Sequence, residues 1–388
     1  MRLRFFATIF SMLLSVLAVA QDIDFDTLSS RAYVSVFTCS PGTQLYSQFG
    51  HSAIGVFDPA QQKSVVFNYG TFSFNTPNFY LKFMSGKLNY RLSAESYSEF
   101  ESTYNRRGRR VTEQKLNLTQ QQNQHLFNLL LENYKPENQY YQYDFFFDNC
   151  ASRVLDMLYV ALGDSLTHCD SLAEKVTYRQ LIHRYLTDSK WTKFGIDIVL
   201  GSVIDRYASP RQQAFLPDKL MEYCELASID GKPLVRLNRN IVEETQIKHA
   251  TPWCCSPVAM LVVMLMFVLV ANRFCPRTND IFDRIFFSTL ALLGVLIALL
   301  WFATDHDATV LNVNILWASP LYFVYIFMLN RNREVWVKRL QIFFVASFGV
   351  SLLGHVFAIQ PISIEMLIVM VIASVRFYQQ RVLSKMDK

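Results

Sequence analysis

The sequence predicts an exported α+β domain followed by an all-α bundle of transmembrane helices. Three observations lead to this prediction: an apolar N-terminal stretch, short strand-like runs that precede helical patterns, and long apolar segments in the last third of the chain. Hydrophobic residues make up 51% of the 388 residues. This share is high for a soluble protein and low for one that lies wholly in lipid, so a mixed protein is expected.

The N-terminus has the layout of a cleavable signal peptide over residues 1–20. Two arginines precede an apolar run at residues 5–19, and the run ends in the small residues of Ala18-Val19-Ala20. We therefore expect residues 21–255 to form an exported domain. An uncleaved anchor helix is the alternative, and the short run disfavours it.

Five apolar segments predict a membrane domain over residues 256–380, with a cytoplasmic tail at 381–388. The segments are 257–271, 285–303, 310–328, 341–359 and 362–377. Basic residues are concentrated after the first and third segments, and acidic residues follow the second. By the positive-inside rule, the protein is a multi-pass inner-membrane protein with its exported domain in the periplasm and its C-terminus in the cytoplasm.

Within the exported domain, strand patterns come first and helical patterns follow. Runs rich in Val, Phe and Tyr predict strands at 33–39, 52–57 and 65–69. Thr119 and Gln122 resemble a capping box, so an amphipathic helix is expected after them. Another helix is expected to begin near Cys150 and to stop at Gly163. This order favours an α+β domain.

The candidate nucleophile is Cys150, at the predicted start of the second helix. Asn149 can cap that helix, which would put the thiol in the first turn. There the positive end of the helix dipole favours a thiolate, and free backbone N–H groups can bind an oxyanion. A buried structural cysteine is the alternative, since cysteine is among the most buried residue types.

His51 is the candidate general base, because it opens the strand-like run at 52–57 between small neighbours. Imidazole titrates near neutrality, so it can accept the thiol proton and return it to a leaving group. Asn68 is the candidate for orienting the imidazole, although it could equally satisfy only local turn bonds. Asp58 and Tyr69 are the alternatives. The other histidines of this part, His125, His168, His183 and His249, are weaker candidates.

Further residues are candidates for supporting roles around this site. Ser47, Asn149 and Tyr69 could support it or contribute to an oxyanion site. Arg107, Arg109 and Arg110 could contact lipid phosphates, or could form a solvated turn between strands. The aromatic residues Tyr140, Tyr141, Tyr143 and 145–147 could line an acyl groove, or could simply pack a strand. Four polar residues could complete the site from the periplasmic face of the inner membrane, although solvation of a loop is the simpler role. They are Asp305, His306, Asp307 and His355.

Cysteine and charge patterns bound the remaining chemistry. A disulfide between Cys169 and Cys224 is compatible with an exported compartment but cannot be read from spacing. No Cys and His residues cluster at metal-ligand spacing, so no metal is expected. The net charge of +5 is modest and the basic residues are not interleaved with aromatics, which excludes nucleic acid as a partner.

Four motifs of the exported domain resemble the N-terminal domain of the Lnb-type lipoprotein N-acyltransferases. They are the runs at 38–42 (Thr-Cys-Ser-Pro-Gly), 46–53 (Tyr-Ser-Gln-Phe-Gly-His-Ser-Ala), 67–72 (Phe-Asn-Tyr-Gly-Thr-Phe) and 146–151 (Phe-Phe-Asp-Asn-Cys-Ala). The resemblance covers most of residues 38–186, and those proteins also carry a C-terminal multi-pass membrane region. It implies a permuted papain-like fold, akin to NlpC and lecithin-retinol acyltransferase domains, in which the histidine strand precedes the cysteine helix.

The resemblance also implies a reaction. Cys150 would take a fatty acyl chain from a membrane phospholipid as a thioester, and the α-amine of diacylglyceryl-cysteine on a diacylated lipoprotein would receive it, with no cofactor. A membrane anchor suits this reaction, because donor and acceptor are both confined to the bilayer. Two other functions stay open: an NlpC-type cell-wall cysteine peptidase or amidase, and a binding module on a transporter or sensor, which would function without Cys150.

Overall fold

The computed structural model describes residues 23, 25–168, 174–247, 250–274 and 276–386. The predicted signal peptide and Cys169, His249 and Cys275 lie outside these residues. Within the described ranges the strands are β1 Tyr33–Cys39, β2 His51–Asp58, β3 Lys63–Thr71, β4 Asn89–Glu95, β5 Val111–Leu116, β6 Tyr140–Gln142, β7 Leu166–His168, β8 Ala227–Ile229, β9 Lys232–Pro233 and β10 Val235–Val242. The α-helices are α1 Phe79–Met84, α2 Tyr97–Arg106, α3 Gln120–Tyr134, α4 Cys150–Leu162, α5 Tyr178–His183, α6 Lys190–Val199, α7 Pro210–Gln213, α8 Pro217–Leu226, α9 Pro257–Phe274, α10 Pro276–Phe302, α11 Tyr322–Asn330, α12 Glu334–Val356 and α13 Ile364–Met386.

A seven-stranded antiparallel sheet forms the centre of the N-terminal region, in the order β10-β5-β1-β2-β3-β4-β6. The three predicted strands correspond to β1, β2 and β3, each with the predicted residues inside its bounds. In the register, Cys39 lies opposite His51 and Ile54 lies opposite Phe67. The candidate histidine therefore opens a central strand of the sheet.

Both faces of this sheet are buried. Helices α3 and α4 cover one face, where Ile54 and Phe67 pack with Leu126 and Leu155. Helix α2 covers the other face, where the strand side chains that point away from α3 and α4 pack against Phe100. Burial on both faces explains why the strand runs are almost continuously apolar instead of alternating.

The two helices predicted for this region begin where the sequence indicates. Thr119 accepts a hydrogen bond from the Gln122 N–H, and the Gln122 side chain accepts one from the Thr119 N–H, which is the expected capping box of α3. Helix α4 begins at Cys150 and ends before Gly163, whose φ of 53° is costly for a residue with a Cβ. Helix α2, which the sequence reading missed, begins at a similar box.

The C-terminal region contains α9 to α13 within the described residues after 250. Two segments are long and apolar enough to cross a membrane, Asp280–Phe302 and Glu334–Val356, and Pro257–Val270 is a shorter apolar helix. The predicted span at 310–328 is wrong as a continuous helix. Within it only the first seven residues of α11 are α-helical, and the whole of α11 has nine residues, which corresponds to about 14 Å.

Polar side chains explain the interruption before α11. Asn312 donates to the carbonyls of Ile198 and Val199 at 2.9 and 3.1 Å, and Asn314 donates to that of Asp197 at 2.9 Å. These carbonyls belong to the last turn of α6, where a helix leaves C=O groups without partners. The residues before α11 therefore cap a helix of the exported domain instead of forming a span.

Candidate active site

Asn149 fixes the start of the helix that carries Cys150. Its side-chain oxygen accepts hydrogen bonds from the N–H of Ala151 at 2.8 Å and of the next residue at 3.0 Å. Its amide nitrogen donates to the carbonyls of Phe145 and Phe215 at 2.6 and 2.8 Å. The predicted cap is therefore confirmed, and this side chain is occupied in positioning the helix.

The sulfur of Cys150 lies against the beginning of β2. The backbone N–H of Ser52, the hydroxyl of Tyr143 and the N–H groups of its own helix turn lie close enough to the sulfur to lower the pKa of the thiol. A Cβ on Gly70 would lie 3.2 Å from the Tyr143 ring and 3.7 Å from the Cys150 Cβ, so a glycine there leaves space for both side chains. Its φ of 85° also favours glycine.

The protonation of Cys150 differs from the sequence expectation. Desolvation raises the pKa of the thiol above its ordinary value and outweighs the hydrogen bonds from Ser52, Ala151 and Tyr143, which lower it. The helix terminus is present as predicted, but burial decides the balance. The resting group is a thiol, so a nucleophilic attack needs a base that removes its proton.

The His51 ring is hydrogen-bonded to Asn68, and Asn68 is in turn hydrogen-bonded to Glu95. Its Nε2 lies 3.1 Å from the Asn68 Oδ1, and the Asn68 Nδ2 donates to the Glu95 carboxyl at 2.9 Å. Because the Asn68 oxygen can only accept, Nε2 carries the hydrogen and Nδ1 keeps a free electron pair. The N–H of the residue after His51 lies close enough to the Cys150 sulfur to lower the pKa of the thiol, so the two candidates lie at the same end of the sheet.

Desolvation lowers the pKa of His51 to about 4, although its bond to Asn68 acts in the opposite direction. The nearby charges of Arg109 and Arg107 lower it further. The residue as a whole is half-buried. The imidazole is therefore neutral at physiological pH and can accept a proton.

The two alternative partners for His51 are bonded elsewhere. Asp58 accepts bonds from the N–H and the hydroxyl of Ser29, both at 2.6 Å, at the far end of β2. The hydroxyl of Tyr69 donates to Asn133 at 2.6 Å. The amide at position 68 is thus the group that contacts the imidazole.

Ser47 shapes the loop that leads into His51. Its hydroxyl donates to the Gln44 carbonyl at 2.9 Å, and its own carbonyl accepts from the N–H groups of Gly42 and Gly50 at 2.8 and 3.1 Å. These bonds are internal to the loop. The residue supports the position of the histidine.

The arginine run lies between α2 and β5, not between two strands as one interpretation had it. Arg107 is exposed, whereas Arg109 is only 4% exposed and donates through Nε to the Ser40 carbonyl at 2.7 Å. The backbone N–H of Arg110 donates to the Ser40 hydroxyl at 3.0 Å. A buried Arg109 supports the loop after β1 and is not placed as a solvated headgroup contact would be.

The sequence reading missed Glu95 and assigned Tyr143 only to a groove. Residues 89–95 alternate polar and apolar side chains, so Glu95 falls on the polar face of the strand pattern and the sequence gives no signal for it. Asp305 and His306 contact residues 83–87, and His355 accepts a hydrogen bond from the Ile362 N–H at 3.0 Å, so none of these contacts is with the thiol. Among the described residues, no three Cys, His, Asp or Glu groups are arranged to hold a metal ion.

Fold and site together define a membrane protein whose periplasmic, sheet-rich domain carries a cysteine, a histidine and an asparagine at one end of the sheet. Residues 21–184 match the Lnb N-terminal periplasmic domain, and residues 243–387 match the Lnb transmembrane domain. The chain therefore belongs to the Lnb family, which places it among membrane proteins that modify lipoproteins. No curated protein and no solved structure matches it significantly.

Proposed function

We propose that this protein is a lipoprotein N-acyltransferase that works through an acyl-thioester on Cys150. The observation that carries the proposal is a buried thiol at the start of α4, near the strand that begins at His51, together with the hydrogen bond that holds the far nitrogen of His51 to Asn68. A neutral imidazole with an oriented free nitrogen, next to a protonated thiol, is the arrangement that nucleophilic catalysis by cysteine requires. The family supplies the substrate class.

In the first half-reaction the acyl donor is a phospholipid. His51 takes the thiol proton as the sulfur of Cys150 attacks the ester carbonyl carbon. The tetrahedral intermediate then expels the lysophospholipid oxygen, which takes the proton from the imidazolium. The products are an acyl-thioester and a lysophospholipid, and the histidine is neutral again.

In the second half-reaction the acceptor is the α-amine of diacylglyceryl-cysteine on a diacylated lipoprotein. The amine attacks the thioester carbonyl, and His51 accepts a proton from the nitrogen. The C–S bond breaks, the sulfur leaves and takes the proton back from the imidazolium, and an amide is released. Cys150 returns as a thiol, so the cycle needs no cofactor.

The oxyanion of both intermediates would meet two donors. Asn149 already occupies the N–H of Ala151 and of the residue after it, which leaves the Cys150 N–H nearest the reacting carbon. The Tyr143 hydroxyl, which lies near enough to the sulfur to lower the pKa of the thiol, is the second donor. Donors aimed at a developing negative charge are a large part of acyl-transfer catalysis.

The finer assignments of fold and topology belong to the same proposal. We interpret the domain as permuted papain-like, because the histidine strand β2 precedes the cysteine helix α4. The C-terminus lies in the cytoplasm of the bacterium, as the basic connections indicate. Headgroup contacts are assigned to Arg107 and Arg110, which are more exposed than Arg109.

The proposal is tested with the purified full-length protein, a phospholipid with an isotope-labelled acyl chain, and a diacylated lipopeptide. Mass spectrometry should find one labelled acyl group on the Cys150 peptide, and then on the amine of the lipopeptide. Cys150→Ala should remove both signals. Cys224→Ala, which changes another buried thiol of the same domain, should keep them.

Two results would overturn the proposal. Transfer that persists in Cys150→Ala would exclude the thioester. Cleavage of peptidoglycan fragments with no change in the lipopeptide would identify a cell-wall peptidase instead.

A further inference from the structure

Large apolar side chains are exposed between β3 and β4, close to the candidate site. We call Phe72, Phe74 and α1 (Phe79–Met84) the aromatic lobe. Its exposed members are Phe74 at 64%, Tyr80 at 76%, Leu81 at 68%, Phe83 at 53% and Met84 at 56%. A contiguous apolar patch of this kind marks an interaction surface and not an ordinary soluble face.

The position of the aromatic lobe indicates what it contacts. The end of the lobe is bound to the loop after α10: the Asp305 N–H donates to the Ser85 carbonyl at 3.0 Å, and the His306 Nε2 lies 3.2 Å from the Phe83 carbonyl. Lys87 and Asp305 form an ion pair at 3.9 Å. The apolar segment of α10 ends at Phe302. The lobe therefore lies at the height where a spanning helix leaves the bilayer.

A line of aromatic rings connects the aromatic lobe to the nucleophile. Ring centroids are 5.8 Å apart between Phe79 and Phe72, 5.3 Å between Phe72 and Tyr90, and 4.5 Å between Tyr90 and Tyr143. A Cβ on Gly70 would lie 3.2 Å from the Tyr143 ring and 3.7 Å from the Cys150 Cβ, so the last ring of the line lies beside the nucleophile. The apolar surface thus continues from the lobe to the thiol.

We propose that the aromatic lobe inserts into the outer leaflet of the inner membrane and guides a phospholipid acyl chain along this line of rings to Cys150. This inference rests on the proposed function and adds the route of the donor. Bilayer phospholipid is the occupant because the exposed apolar side chains stand beside the end of a spanning segment, where lipid surrounds the protein. A hydrocarbon chain on this surface would keep its contacts apolar up to the reacting ester.

The first test compares two acyl donors in the full-length protein reconstituted into vesicles. The double variant Leu81→Ser with Met84→Ser removes apolar surface from exposed positions. We expect at least a tenfold slower formation of the thioester from phosphatidylethanolamine and phosphatidylglycerol vesicles, and less than a twofold change with soluble p-nitrophenyl butyrate. The control Leu237→Ser changes an exposed apolar residue on the far edge strand and should leave both rates unchanged.

A double variant that keeps the wild-type rate with both donors would overturn the inference. An equal loss of rate with both donors would overturn it as well. A second test does not depend on activity. A photoreactive amino acid at Leu81 should cross-link to vesicle lipid, whereas the same group at Leu237 should not. Without a lipid cross-link at Leu81 the inference is wrong, even if Cys150 is acylated. With the cross-link but no acylation of Cys150, the proposed function fails and membrane insertion of the lobe stands.

Discussion

Polar side chains are buried both at the end of the sheet around Cys150 and in the core of the helical region. The two sets differ in how completely they are paired. In the helical region, Arg376 is 1% exposed and donates to both carboxylate oxygens of Asp283, at 2.6 and 2.7 Å. Gln380 donates to the same carboxylate at 2.7 Å, and Gln341 donates to Gln380 at 3.0 Å. Both charges of this pair therefore have fixed partners.

At the end of the sheet, hydrogen-bonding capacity is left over. The His51 ring keeps an electron pair on Nδ1, and desolvation shifts the pKa values of Cys150 and His51 so that both groups are neutral. Paired buried groups without free capacity stabilise or specify a fold, whereas shifted and incompletely paired groups in one place are typical of chemistry. The difference separates a structural network from a reactive one, and it can be tested in both regions.

The largest effect is expected for the base. His51→Ala should reduce kcat for acyl transfer by about 10²–10⁴-fold, because it removes the imidazole that accepts the thiol proton in the proposed mechanism. The measurement is the rate of lipopeptide acylation, with circular dichroism as the check on folding. His125→Ala, at an exposed position of α3, is the matched control and should keep the wild-type rate. An unchanged rate in His51→Ala would remove this residue from the mechanism.

The helical region should respond in stability. Asp283→Ala leaves the buried guanidinium of Arg376 without its carboxylate, so the free energy of unfolding should fall by about 3–5 kcal/mol. Thermal unfolding in detergent micelles measures this change. Replacing both partners by apolar residues, Asp283→Leu with Arg376→Met, should restore most of the stability. If the double variant is as unstable as the single one, the pair has a role beyond mutual neutralisation.

A smaller effect is expected for the group that orients the imidazole. Asn68→Ala removes one hydrogen bond to His51 of about 1–1.5 kcal/mol, which corresponds to roughly a tenfold lower kcat. Glu95→Gln keeps an acceptor for the Asn68 amide and should cost less than threefold. Steady-state kinetics on both variants will show which substitution lowers kcat more. A larger loss in Glu95→Gln would mean that its charge, and not its hydrogen bond, supports the site.

The smallest effect is expected in the pH dependence of the acyl-transfer rate. Because the pKa of His51 is lowered to about 4, the imidazole becomes protonated and loses its function as a base only when the pH falls through that value. The rate should therefore be nearly complete at about pH 5.5, where an imidazole of ordinary pKa would retain about a tenth. A kcat/KM profile between about pH 4 and 8 measures this. An acid limb centred near 6.5 would show that desolvation of His51 is weaker than its surroundings indicate.

The sequence predicted local features better than distant ones. The strands β1 to β3, the capping box at Thr119 and the helix at Cys150 follow from patterns within a few residues, and they are correct. The contact of His51 with Asn68 was a hypothesis among three, because strand pairing decides it and spacing does not. The protonation of the thiol was predicted in the wrong direction, since the helix terminus is visible in sequence while burial is not.

The segment at 310–328 is another feature that depends on contacts between residues distant in the sequence. Its apolar composition predicts a membrane span, but Asn312 and Asn314 have partners on α6, more than a hundred positions earlier in the chain. Hydropathy averages over such residues and cannot show what they bind. The interruption becomes visible only when the two distant segments are seen together.

That contact sets a limit on how the protein can be divided. Ile198 of α6 is buried among the membrane helices, with Phe194 and Val199 packed beside it. A fragment cut before α9 would expose these side chains to water and leave the last carbonyls of α6 without their asparagine donors. Production of the N-terminal region as a soluble reagent would therefore require α6 to be redesigned with a polar outer surface and a new C-terminal cap.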